Sequence, residues 1–251
     1  MRVRNKPNPE LDMAPVTNQM LNARREKDCL GITTERKYYH ADGAFIKRSL
    51  RPDEWQTNPV DGTLVIPRFG NERVRNEAAA MRFVASETSI PLPRLYGCFE
   101  DGGAVYLVME YIDGVTASEL SSEQRKTVEK QVEQHLHTLH SLTSDTWGGP
   151  SGIVVPPYRV MARSFRPEWK MQRRASPDLV FCHNDLSTHN IIVDPRTLQI
   201  KAILDWEYAG FFPAEFEGPF FRRPGPSVAL DGEVNDEEHL LDVLYENEDK
   251  A

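Results

Sequence analysis

Apolar and polar positions alternate in short runs through the first half of the chain. "RKYYHA" and "AFIKRSL" flank Asp42-Gly43, and "RLYGCFE" and "AVYLVMEYI" flank Asp101-Gly102-Gly103. Asp-Gly between β-rich runs selects a tight turn, so two antiparallel hairpins are predicted. Between them, "NERVRNEAAAMRFVASE" changes to helical spacing. Val74, Ala78, Met81 and Ala85 share a stripe, Ala78 to Ala80 favour helix, and Asn71 is placed to cap it. Glu77 falls beside that stripe, where a carboxylate is costly unless a partner meets it.

Further along, Ser121 with Gln124 forms a capping-box pattern opening a helix, with Val128, Val132, Leu136 and Leu139 at helical spacing. "WGGPSGIVVPP" ends it. A basic, irregular stretch over 156–178 carries Arg159, Arg163, Arg166, Lys170, Arg173 and Arg174. "NIIVD" and "IKAILDW" predict a third hairpin around "DPRTLQ", and "NDEEHLLDVLYENE" predicts an acidic C-terminal helix. Residues 1–25 read as a loose polar lead, and "RPDEWQTNPVDGTLVIPRFG" as a loop with one short strand. The expected division is a lead over 1–29, a small sheet with one helix over 30–112, and a helical part carrying the third hairpin over 113–251.

Composition narrows the class. With 251 residues, 39% hydrophobic and 27% charged, the chain suits a globular protein of two lobes. A net charge of −8 argues against nucleic acid. No apolar run reaches membrane-spanning length, and "MRVRNKPNPELD" is too polar for a signal peptide. Cys29, Cys98 and Cys182 lack metal-site spacing, so a reducing, cytoplasmic setting is expected.

If the third hairpin forms, Asn190 at its start lies near Asp205 at its end, and a short loop returns Asp185 to the same rim. Asn190 and Asp205 are oxygen ligands suited to Mg²⁺, a hard cation that needs few protein donors. Asp185 is then free to accept a proton. Phosphoryl transfer in the protein-kinase-like group uses this layout, with H-x-D-x-x-x-x-N supplying base and metal ligand, and a later Asp, a strand Lys and a helix Glu. Here these are His183, Asp185, Asn190, Asp205, Lys47 and Glu77.

"FCHNDLSTHNIIVDPRTLQIKAILDWEYAGFFPAEFE" resembles the aminoglycoside phosphotransferase and choline kinase superfamily, especially its phosphotransferase enzyme family. Asp-Trp-Glu in place of Asp-Phe-Gly is typical of it. The resemblance covers roughly residues 36–217 and implies an α+β, bilobal protein-kinase-like fold. It also implies ATP or GTP with Mg²⁺, and transfer of the terminal phosphoryl group to a small-molecule hydroxyl. By that resemblance Asp185 takes or orients the hydroxyl proton, and Asn190 and Asp205 hold Mg²⁺. Lys47 meets the phosphates, Glu77 fixes Lys47, backbone groups of Glu110, Tyr111 and Ile112 hold the base, and His183 braces the loop. No G-x-G-x-x-G precedes "AFIK"; "GITTER", with Thr33 and Thr34, is the expected phosphate-covering loop. The region 148–179 is short, as is the chain after Asp205, so the substrate region is expected to be reduced.

Blander readings stand beside these. Asp and Asn commonly bond to turn backbone, strand lysines are usually solvated, and Glu77 has Arg73 and Arg82 as partners on its own helix. His183, His189 and Asp185 resemble a hydrolase metal set. Cys182 is read as a buried apolar residue, His135, His137 and His140 as a polar helix surface, and 159–174 as a solvated face or a phosphate contact. Glu215 and Glu217 are capping residues or attract a cationic substrate. A kinase-like protein that binds nucleotide or a partner without turnover is the alternative function.

Overall fold

Turn geometry sets the first sheet. Asp42 and Gly43 take φ of 49° and 77°, and Gly102 and Gly103 take 55° and 78°. Positive φ at both central positions gives the hairpin turn whose twist matches its strands. Both predicted hairpins form on these turns.

The structure, a computed structural model, describes residues 16–249. Helix α1 (Asn18–Ala23) is capped by Thr17, whose Oγ1 accepts from the Met20 N–H at 3.2 Å. It stands where sequence predicts a loose lead; residues 1–15 of that lead lie outside the described residues. Strands β1 (Cys29–Ile32), β2 (Arg36–Ala41) and β3 (Ala44–Ser49) follow. A two-stranded ladder, β4 (Gln56–Thr57) with β5 (Leu64–Val65), occupies the stretch read as a loop with one strand. Helix α2 (Gly70–Glu87) precedes β6 (Leu95–Asp101) and β7 (Ala104–Glu110). The antiparallel sheet runs β1-β2-β3-β7-β6 and puts Tyr38, Lys47 and Leu107 in one cross-strand row.

Two details of α2 differ from expectation. The helix starts before Asn71, with Phe69 at its N-cap and φ 50°; the Asn71 Oδ1 instead accepts from Ser49 Oγ at 2.5 Å. Val74, Ala78, Met81 and Val84 bury the stripe, but Ala85 is exposed. An open groove lined by Ala85, Arg82 and residues 88–96 separates the last turn from the chain below. A second face of α2 buries Arg73, Asn76 and Glu77.

The second half begins with β8 (Val115–Thr116) and α3 (Ser122–His140). The capping box forms as read, with Gln124 N–H to Ser121 Oγ at 3.3 Å and Ser121 N–H to Gln124 Oε1 at 3.0 Å. Then come β9 (Thr143–Ser144), α4 (Tyr158–Met161), β10 (Leu179–Cys182), β11 (Ile191–Val193), β12 (Ile200–Ile203), β13 (Gly210–Phe212) and α5 (Glu237–Glu246). The third hairpin is β11-β12, with Ile191 opposite Ile203, and the Leu204 N–H bonds to the Asn190 carbonyl at 2.8 Å. One hydrophobic core runs from Val74 and Leu107 to Phe181, Leu186, Ile191 and Trp206, so both halves share it. No helix among the described residues is long and apolar enough to cross a membrane.

The basic stretch is largely a solvated face, with Arg163, Lys170 and Arg173 exposed, but Arg159 is drawn inside and several of the cations are paired with acids. Arg159 is 1% exposed and pairs with Asp236 at 2.9 Å, and Arg163 pairs with Glu237 at 3.2 Å. Arg166 pairs with Glu248, and Arg174 Nη1 donates to Asn247 Oδ1 at 2.8 Å. The acidic C-terminal segment neutralises the basic one.

"WGGP" and "YAGF" meet backbone to backbone. Gly148 and Phe211 bond reciprocally at 3.0 and 2.8 Å, and a Cβ on Gly210 would lie 2.6 Å from the Gly148 carbonyl carbon. Backbone cannot yield as a flexible side chain does. Gly210→Ala is expected to cost about 2 kcal/mol, roughly 4–8 °C in Tm. Gly97→Ala, whose Cβ meets nothing within 4 Å, is expected to change stability by less than about 0.5 kcal/mol. Thermal melts of the two variants check this; equal melting points would contradict the close approach.

Candidate active site

Lys47 sits mid-strand on β3 and is 2% exposed. An ammonium removed from water needs carboxylates around it, and two arrive from distant elements. Glu77, on the polar face of α2, accepts from Lys47 Nζ at 3.0 Å (Oε1) and 2.8 Å (Oε2). Asp205, immediately after Leu204 at the end of the third hairpin, accepts at 2.5 Å through Oδ1. Burial alone would lower the ammonium's pKa, but the Asp205 and Glu77 charges hold it well above the usual lysine range. Glu77 therefore pairs with Lys47 rather than with Arg73 or Arg82.

The catalytic-loop candidates lie on the same rim. Asn190 Nδ2 donates to the Asp185 carbonyl at 2.8 Å and to its Oδ2 at 3.3 Å, so its Oδ1 is not spent on Asp185. Burial pushes the Asp185 carboxyl up to about 7, while neighbouring Ser227 and Asn190 oppose the rise. Asp205 and Asn184 hold φ of 60° and 68°, a left-handed backbone that needs surrounding support. Asn184 receives it through Nδ2, which donates to the Tyr208 carbonyl at 2.9 Å.

His183 is fully buried. Its Nε2 bonds the Leu204 carbonyl at 2.8 Å, and its Nδ1 accepts from the Asp185 N–H at 3.2 Å. That pattern requires the neutral ring with Nε2 protonated, in keeping with burial pushing its pKa down to about 4. Both nitrogens are thus occupied, and His189 is exposed, so these histidines form no metal set with Asp185.

A cleft of about 410 Å³ opens between the sheet and the hairpin. Glu110, Tyr111, Ile112, Asn190 and Asp205 line it, with Phe45, Met109, Ile192 and Leu204 as apolar walls. The Glu110 and Tyr111 N–H groups are spent on the Arg94 and Gly43 carbonyls, each at 2.9 Å. Ile112 is the one of the three whose N–H has no partner among the described residues. The β1-β2 turn at Thr33 is closed on itself, with Thr33 Oγ1 accepting from the Glu35 and Arg36 N–H groups at 3.2 and 3.0 Å. Thr33 is thus engaged locally.

Sequence reasoning missed a second charged cluster. Glu207, two residues past Asp205, accepts from Arg36 Nη2 at 2.8 Å and from Arg73 Nη1 at 3.5 Å. Arg73 also meets Glu35 at 2.5 Å. Asn76 Nδ2 donates to the Glu207 and Ala209 carbonyls at 3.1 and 3.0 Å. Burial would raise the Glu207 carboxyl, yet Arg36 and Arg73 hold it down to about 2. Glu217 anchors the loop that carries Asp185, accepting from the His183 N–H and, at 3.3 Å, the Asn184 N–H. Burial pushes Glu217 up to about 7 despite those donors. Glu215 instead meets His239 at 3.0 Å. The sequence signal for Glu207 was the Asp-Trp-Glu triplet; for Glu217 there was none beyond an acidic pair.

Replacing Glu207 by Gln leaves two nearly buried guanidinium groups without their shared counter-charge. The expected loss is about 3 kcal/mol, roughly 6–12 °C in Tm, and a melt unchanged from wild type would contradict the cluster. Glu217 gives a pH signature. Its pKa rises from 4.5 unfolded to about 7 folded, so its contribution is full below the lower value and is lost as pH rises through the upper one. Relative to Glu217→Gln, the wild type is expected to lose up to about 3 kcal/mol across that window. Denaturant titrations at several pH values read this directly, and a pH-independent difference would refute it.

Comparison with known proteins gives this geometry a family. A profile of the phosphotransferase enzyme family matches residues 56–217, which include Glu77, Asp185, Asn190 and Asp205 while Lys47 precedes them. An aminoglycoside 3'-phosphotransferase from Streptomyces fradiae is 28% identical over 138 residues, 46% of this chain and 52% of that protein. The chain thus spans about half the length of that curated relative. Among solved structures, aminoglycoside phosphotransferase APH(4)-Ia superposes with a TM-score of 0.50 at 14% identity, over 75% of this chain and 68% of that one. An aminoglycoside-3'-phosphotransferase of type VIII gives 0.47 at 18% identity, over 91% and 97%. The fold is the α+β, protein-kinase-like one of these enzymes, and the chain belongs to the phosphotransferase enzyme family.

Proposed function

We propose that the chain is a small-molecule kinase, transferring the terminal phosphoryl group of ATP or GTP to a substrate hydroxyl with Mg²⁺. The observation that carries this reading is Lys47 bonded at once to Glu77 and Asp205, at a cleft lined by Asp205 and Asn190, with Asp185 hydrogen-bonded to Asn190. Few purely structural arrangements need a buried lysine to meet two carboxylates from separate elements beside an open cleft.

In this reading the apolar walls and the Ile112 N–H hold the base, and Lys47 steadies the phosphates. Asn190 and Asp205 fit Mg²⁺: the Asn190 Oδ1 is not used by Asp185, and Asp205 keeps a second carboxylate oxygen beyond the one facing Lys47. The ion supplies charge neutralisation on the phosphates. Asp185 accepts the acceptor's proton as its oxygen bonds to phosphorus and the bond to the diphosphate breaks. With the carboxyl raised to about 7, its basicity suits proton transfer near neutrality. The name of the Streptomyces relative and the net charge of −8 make aminoglycosides and other hydroxylated cations the first acceptors to test.

Calorimetry with Mg-ATP and Mg-GTP, then nucleoside-diphosphate release across a panel of hydroxylated amines, tests the proposal. Asp185→Asn is expected to lower kcat by about 10²–10⁴-fold while leaving nucleotide affinity within about threefold. Absence of nucleotide binding sinks the kinase reading. Binding with no turnover on any acceptor favours the binding-protein alternative.

A further inference from the structure

Helix α3 ends at His140, strand β10 ends at Cys182, and Glu217 follows the short turn after β13. The three side chains converge. A ring nitrogen of His140, the Cys182 Sγ and a carboxylate oxygen of Glu217 all lie within 4.8 Å of one another. No other trio of His, Cys, Asp or Glu among the described residues gathers so closely.

Each donor is left with capacity. The His140 Nε2 is out of water and has no hydrogen-bond partner among the described residues, an unfavourable state for a polar atom. The fully buried Cys182 Sγ has the Val180, Phe212 and Pro213 carbonyls at 3.6, 4.0 and 3.9 Å. A thiol is a weak donor, so these contacts hold the sulfur lightly. The Glu217 Oε2 accepts from the His183 and Asn184 N–H groups, while Oε1 accepts from none among the described residues.

The donor set selects the ion. One sulfur, one imidazole and one carboxylate disfavour Mg²⁺ and Ca²⁺, which prefer oxygen throughout. Zn²⁺ takes sulfur, nitrogen and oxygen together, at about 2.0–2.3 Å. Three atoms within 4.8 Å of one another surround a centre only slightly farther from each than those bonds, so small side-chain rotations close the shell.

We propose that His140, Cys182 and Glu217 bind one Zn²⁺, with solvent as fourth ligand, as a fastening for the loop that carries Asp185. The ion replaces the thiol proton, which leaves to solvent as the zinc–sulfur bond forms. It joins the last turn of α3 to the end of β10 and, through Glu217, to the backbone of His183 and Asn184. Glu217 then bridges ion and loop, as outer hydrogen bonds orient the ligands of other metal centres. His140 is partly exposed, which gives the ion a route from solvent. Each donor comes from a different element, so cysteine spacing does not reveal the set. It differs in residues and in donor type from the Asn190 and Asp205 oxygens proposed for Mg²⁺.

For the test, the full chain is stripped with chelator and equilibrated with Zn²⁺ or Co²⁺ in excess Mg²⁺, which fills oxygen-only positions. After gel filtration, elemental analysis is expected to find about one Zn²⁺ per chain. Saturating Zn²⁺ should raise Tm by about 5 °C or more. Co²⁺, a spectroscopically visible substitute for zinc, should show a sulfur-to-cobalt charge-transfer band and release about one proton on binding. Cys182→Ser should abolish the band, and His140→Gln should weaken zinc binding about tenfold or more. The band should persist when Cys29→Ser and Cys98→Ser are combined. Wild-type stoichiometry and spectrum decide the matter if a variant does not fold. A chain that retains no zinc, or binds cobalt without the sulfur band, overturns the site. So does a band that survives Cys182→Ser, or zinc affinity unchanged in His140→Gln. None of these outcomes bears on the kinase reading, whose own test is nucleotide binding and turnover with Mg²⁺.

Discussion

A single ammonium governs how this molecule is put together. Lys47 lies almost wholly out of water, and an uncompensated charge there would cost several kcal/mol. Its compensation comes from α2 and from the end of the β11-β12 hairpin, 30 and 158 residues away. The sheet, the helix and the hairpin therefore cannot choose their relative positions independently. Each must deliver its group to within hydrogen-bond reach of one nitrogen. The apolar core running from Val74 to Trp206 supplies the bulk of the driving force. The lysine supplies the register, because hydrophobic contact is non-directional and an ion pair at 2.8 Å is not.

The same helix face settles the second contact between the halves. Arg73 lies about one turn before Glu77 and on its side of the helix, and Asn76 immediately precedes Glu77, so a helix docked for Lys47 also presents both to residues 206–209. Glu207 answers Arg73 and takes Arg36 from β2 as well. Asn76 reads the backbone of Glu207 and Ala209, and the neighbouring glycines allow the chain close enough to be read. Asp205 is thus flanked by anchored residues on its far side, which lets it hold a left-handed φ of 60°. The cleft rim is stiff because its supports are directional.

Much of this was legible along the chain, and the limits are physical. Asp-Gly turns, the Ser121-Gln124 box and the alternation of "NIIVD" and "IKAILDW" act through neighbours a few residues apart, so local pattern suffices. The meeting of Lys47 with Glu77 and Asp205, and of Asn190 with Asp185, was readable because their order and element types follow a recognisable layout. Partner choice was harder. Glu77 had two arginines on its own helix and took neither, since a partner across the fold was the one that had to be neutralised. Arg36, Arg73 and Arg159 look like any surface arginine in sequence; their burial follows from acids far along the chain. Asn71 fits a cap by type, yet Ser49 on β3 claimed its side chain. The Glu110 and Tyr111 N–H groups are committed to the Arg94 and Gly43 carbonyls, which no sequence pattern reports.

Charge around the cleft limits what can enter it. Burial pushes Asp185 and Glu217 up to about 7, and the charges of Asp205 and Glu207 add to the rise at Asp185. The nearby guanidinium groups of Arg36 and Arg73 are already engaged by Glu207 and Glu35. Lys47 is left as the cation between Glu77 and Asp205. A bare polyphosphate approaching that wall would meet acidic groups with one committed lysine to offset them, and Coulomb repulsion in a poorly hydrated cleft is strong. In the reading proposed above, the phosphates must therefore arrive already paired with a divalent ion. The hard oxygen atoms of Asn190 and Asp205 are then donors for that complex, and the acidity of the rim selects the charged partner that makes nucleotide entry favourable.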